Sequence, residues 1–119
     1  MPVSSADDAA RIAIASLSED ERQGAVLYLD DAPLAAGEHR LGHTQVALAE
    51  PAWMAFLDLE PGANWAHACC YLLIGADGSL REIPESTPPF LRGEAPTLRV
   101  IARGNAPDWT LAAPYRPPA

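Results

Sequence analysis

Trp65-Ala66-His67-Ala68-Cys69-Cys70-Tyr71-Leu72-Leu73-Ile74-Gly75-Ala76-Asp77-Gly78 runs through the most apolar region of the chain and ends on a turn signature. Alternation along a strand would place Trp65, His67, Cys69 and Tyr71 on one face and Ala66, Ala68, Cys70 and Leu72 on the other. Both faces are apolar, as in a strand covered on two sides, so Trp65–Ile74 reads as a central strand. Asp77-Gly78 supplies the positive φ that tight hairpins need, which makes Leu80–Ile83 the antiparallel partner.

Working outward from that strand gives the rest of the fold. Glu60-Pro61-Gly62-Ala63-Asn64 is a turn, and before it Trp53–Leu59 alternates, with Trp53, Ala55, Leu57 and Leu59 opposite Met54, Phe56 and Asp58. Thr44–Ala49 alternates as well, and Ala25–Leu29 is a short apolar run closed by Asp30-Asp31-Ala32-Pro33. Upstream, Ala6, Ala9, Ala10, Ala13 and Leu17 recur at helical spacing behind Ser5 and Asp8, which resemble a capping box, so a helix is expected over Ala6–Leu17. Ser18-Glu19-Asp20-Glu21 starts a further turn that Gly24 ends. Downstream, Pro84, Pro88 and Pro89 predict an irregular segment, and Leu98–Ala102 reads as a last strand. The proline-bearing tail from Gly104 lacks periodicity and is expected to lie over the surface, pinned by Trp109 and Tyr115. The expectation is one α+β domain over residues 1–119: one N-terminal helix packed on an antiparallel sheet of four to six strands.

Composition narrows the function classes. The formal net charge is −8, every basic residue is arginine, and no lysine occurs, which excludes lysine nucleophiles, Schiff bases and a phosphate-binding P-loop lysine. An acidic chain is repelled by nucleic-acid phosphate, and no apolar run reaches the roughly 20 residues that span a bilayer. The polar, acidic Met1–Asp8 lacks the pattern of a secretion signal, so a cytoplasmic location is expected. Adjacent Cys69 and Cys70 point apart on a strand and are expected as free thiols.

Three kinds of chemistry are conceivable at these residues. An enzyme would use Cys69 with His67 and a second histidine from another strand, His43 or His39, with Asp58 or Asn64 as the orienting group. On a strand, however, His67 and Cys69 would stand roughly 6.5–7 Å apart, beyond direct contact. A metal site would draw on His67 and Cys69 with His43 or His39, but His-x-Cys-Cys matches no usual zinc spacing, and no cofactor is implied. A binding surface would use the turn residues Glu60, Asn64 and Trp65, and the proline-rich segment with Glu85, Phe90 and Leu91, where rigidity limits the entropy lost on association.

The order of elements offers one resemblance. A short N-terminal helix, a strand opening on Trp53-Met54-Ala55-Phe56, and a second strand ending in the Gly75-Ala76-Asp77-Gly78 hairpin resemble small PepSY-like domains and small immunity proteins of bacterial toxin systems. That resemblance covers roughly Ala6–Ile83 and rests on element order alone. It implies an α+β, non-catalytic protein that acts by binding, often as an inhibitor. With the acidity, the expected partner is a basic protein, with neither nucleic acid nor membrane.

Overall fold

The computed structural model describes residues 2–63, 66–89 and 97–111. Its elements are helices α1 (Ala6–Ala15) and α2 (Glu19–Gly24), strands β1 (Val26–Asp30), β2 (Gly37–Leu41), β3 (Thr44–Leu48), β4 (Ala52–Asp58), β5 (Cys69–Gly75), β6 (Leu80–Glu85) and β7 (Leu98–Ala102), and a 3-10 turn, Asp108–Thr110. The main sheet has the order β6-β5-β4-β1-β7, and β2 and β3 form a separate ribbon. All the strand pairs are antiparallel. The fold is α+β, with one main helix on a five-stranded sheet and a two-stranded ribbon beside it. No described helix is long and apolar enough to cross a membrane.

The helices start where side-chain oxygens can take up free amides. Ser5 accepts from the Asp8 amide, and Ser18 and Glu21 form a reciprocal capping box at α2. Helix α1 stops at Ala15, two residues before the expected end, and the Ser16 hydroxyl donates to the Ala13 carbonyl. Ala9 and Ala13 are fully buried, so the helix sits close on the sheet at its alanine stripe.

Period-two alternation sorts the sheet into two cores. Leu27, Leu29, Ala55, Leu57, Leu72 and Ile74 face α1. Val26, Tyr28, Met54, Phe56, Cys69, Tyr71, Leu73 and Ile83 face the ribbon, with Leu41, Val46, Ala106 and Leu111 closing over them. Tyr28, Phe56 and Tyr71 are cross-strand partners on β1, β4 and β5. Their ring centroids lie 6.1 and 5.2 Å apart with tilted planes, so this row packs as offset aromatics.

The hairpin at the end of β5 forms as expected: Gly78 has φ 87°, and the Gly75 amide donates to the Ser79 carbonyl. Two expectations are corrected, and one strand is new. Strand β5 begins at Cys69 rather than Trp65, because the chain from Ala66 to Ala68 leaves the ladder and the His67 amide donates to the Ser86 carbonyl. Pro84 sits inside β6 rather than ending it, because β6 is an edge strand whose outer side asks for no amide donor. Strand β2 has no counterpart in the sequence reading; its exposed Gly37, Glu38 and Arg40 hide the alternation that brings only His39 and Leu41 inward.

The glycine in the β2–β3 turn joins the ribbon to the sheet. Gly42 has φ 63°, and a Cβ there would fall on the Glu85 carboxyl group. That carboxylate accepts from the Thr44 hydroxyl (2.6 Å) and the Ser86 amide (3.1 Å). The Thr44 hydroxyl, foremost among these donors, holds Glu85 below the usual glutamate range.

Candidate functional site

One end of the sheet gathers most of the chemically distinctive residues. Here β4 ends at Asp58, β5 starts at Cys69, β6 ends at Glu85, and β1 and β7 meet near Leu27 and Ala102. Register places Asp58, Cys69 and Glu85 side by side on three strands.

His67 folds over this row. Its Nε2 lies 2.8 Å from Asp58 Oδ1, and both side chains are 2% exposed. The same Oδ1 accepts from the Glu60 amide at 3.0 Å. A single buried oxygen therefore holds both ends of the loop between β4 and β5. Burial pushes the Asp58 carboxyl up, and the nearby imidazole only partly offsets it. Across the loop, the Glu60 carboxylate accepts from the Ala68 amide at 3.4 Å.

The thiols are in the wrong environment for a nucleophile. Cys69 is 2% exposed, and burial, reinforced by the Asp58 and Glu85 carboxylates, pushes its thiol up to about 12. An activated thiol needs the reverse, a nearby positive charge and access to water. Cys70 lies on the helix face, half-buried, and burial together with Glu82 and Glu21 raises it too. His43 is exposed in the β2–β3 turn, outside the buried Asp58–His67 pair. Among the described residues, no three His, Cys, Asp or Glu side chains group to hold a metal ion.

Of the residues expected in a binding surface, Glu60 is exposed at this end of the sheet. Glu85 is committed to the ribbon clamp. Asn64, Trp65, Phe90 and Leu91 lie outside the described residues.

Two expectations are corrected at this end: Leu59 does not continue the face of Leu57, because β4 ends at Asp58, and Trp109, expected to pin the tail, stands largely in solvent. Leu59 is 38% exposed and Trp109 76%, and they are the exposed large hydrophobics among the described residues. Both are braced. Leu59 lies between Asp58 and Glu60, which are bonded to each other. Trp109 lies on Gly62, where a Cβ would stand 2.7 and 2.9 Å from the indole ring. The 3-10 turn carrying Trp109 is fixed by the Arg103–Asp108 ion pair (2.6 Å) and by buried Leu111. Glycine is required at 62, which has φ 92° and that ring against it. The signal available in the sequence was the pairing of a Pro-Gly turn with a tryptophan in a segment lacking periodicity.

Gly104 ties this turn to α2. Its φ of 53° and its close approach to the Arg22 and Gln23 carbonyls leave no room for a side chain, and the Asn105 amide donates to the Gln23 carbonyl at 2.9 Å. No protein-family model matches the chain, and neither a curated protein nor a solved structure matches it significantly.

Proposed function

We propose that this protein is a non-enzymatic protein-binding module, of the inhibitor or immunity type, that engages a basic protein partner. Its contact surface is the rim formed by the loop after β4 and the turn at Asp108–Thr110. One observation carries the reading: Leu59 and Trp109 are held in solvent on loops that buried bonds and glycine contacts keep in place. Exposed tryptophan on a rigid support is the kind of residue that dominates binding energy at interfaces, because little ordering entropy is lost on contact. The net charge of −8 adds long-range attraction for a basic surface.

The test compares two ends of the molecule. Partner isolated with the wild-type chain is titrated against Leu59→Ser/Trp109→Ala and against Arg81→Ala/Ser79→Ala, at low and high salt. The reading requires the rim variant to lose tenfold or more, the distal variant to lose less than twofold, and affinity to fall with salt. Equal affinity for the rim variant and the wild type would overturn it.

A further inference from the structure

Trp109 has surroundings that select among basic partners. The ring edge rests on Gly62, and 76% of the residue is open. Arg103, a few residues before the ring, is engaged: it pairs with Asp108 and donates from Nε and Nη2 to the Ala106 carbonyl. Glu60, two residues before Gly62, is exposed. An open indole face attracts a cation through its quadrupole, and the net charge of −8 adds to that attraction while repelling acidic groups.

We propose that Trp109 is the docking platform for an arginine or lysine side chain of the partner, with Glu60 as its counter-charge. This rests on the protein-binding reading above and adds the chemistry of the anchoring residue. The cation lies over the indole, Glu60 supplies the charge-assisted hydrogen bond, and Arg103 keeps Asp108 from competing for the incoming cation.

The experiment uses the full chain and a defined probe. A blocked Gly-Arg-Gly-Arg-Gly peptide and its citrulline analogue are titrated in turn, following the indole N–H resonance of Trp109, assigned by its loss in Trp109→Phe. The expected result is a saturable shift of that resonance with the arginine peptide and at least threefold weaker binding of the citrulline analogue. Trp109→Leu, which keeps an apolar side chain without the ring quadrupole, should weaken peptide binding about two- to fivefold. Glu60→Gln should weaken it about twofold, more so at low salt.

A Trp109 resonance that stays fixed while shifts spread over other surfaces would overturn the proposal. Equal binding of the two peptides would do the same. So would a sedimentation mass that doubles with concentration and reverts in Trp109→Leu, since a second copy would then occupy the ring. These outcomes are separate from failure of the wider reading: a partner that needs the rim but sets a neutral side chain on Trp109 removes only the cation proposal.

Discussion

Replacing Asp58 tests how the rim is held. In Asp58→Ala, the His67 Nε2–H and the Glu60 amide both lose the oxygen that accepts them. Leaving a buried donor unpaired costs about 1–3 kcal/mol, and the Glu60 amide, nearer solvent, recovers part of its loss from water. The expected total is about 2–4 kcal/mol. Asp58→Asn behaves differently, because both bonds converge on Oδ1, which an amide oxygen replaces. Burial has already raised the carboxyl, so the folded state holds the ionised form less readily than the unfolded chain does. Removing that charge offsets the weaker hydrogen bonds, and Asp58→Asn should cost less than about 1 kcal/mol. The sign in pH follows. A raised folded pKa gives stability that is present below the unfolded value of 3.8 and lost as pH rises through the folded value. Wild type should therefore lose stability relative to Asp58→Asn over that interval. Urea unfolding from pH 3 to 8 measures all three, and hydrogen exchange should show faster opening at His67 and Ala68 in Asp58→Ala. Equal costs for Ala and Asn, or a cost below 1 kcal/mol for Ala, would refute the two-bond account.

Three further outcomes are expected. Gly104→Ala forces a left-handed residue, costing about 1–2 kcal/mol, and drives its Cβ into the Arg22 and Gln23 carbonyls; thermal unfolding should show about 2–4 kcal/mol lost in all. Glu85→Gln should separate from wild type above pH 4.5 and converge with it as pH falls through the depressed folded value, read from urea midpoints, because the ionised carboxylate holds the ribbon. Alkylation of the folded protein at pH 8 should leave Cys69 untouched until unfolding, since a thiol near 12 is only about one part in ten thousand thiolate there; rapid modification of Cys69 would reopen the enzyme reading.

Much of the sheet is legible from local pattern. Trp53–Leu57 alternates cleanly, and its two predicted faces are the two cores, because a strand packed on both sides must sort its side chains by parity; Leu59, past the end of β4, belongs to neither. The Asp77-Gly78 turn and the serine caps are equally local, so residue chemistry alone places them. Strand β2 is not legible, because one face of the ribbon stands in solvent and its inward residues are too few to set a period. Histidine 67 misleads for a related reason. The apolar run around it looks continuous, but the imidazole needs the Asp58 carboxylate, and satisfying that buried pair pulls the chain off the ladder before Cys69. Asp58 does meet an imidazole, but as a buried pair that closes the loop and not as the orienting group for a thiol. Trp109 against Gly62 joins positions 47 residues apart in segments without periodicity, and only tertiary closure of the two loops reveals it.

Site-specific photo-crosslinking tests the central claim most directly. A benzophenone amino acid is placed at position 109 or, at the opposite end of the sheet, at Ala76 in the β5–β6 turn, and each chain is irradiated with its isolated partner. The account predicts a covalent adduct from position 109 and none above background from position 76. An adduct from 76 without one from 109 would contradict it and move the binding surface to the other end of the molecule.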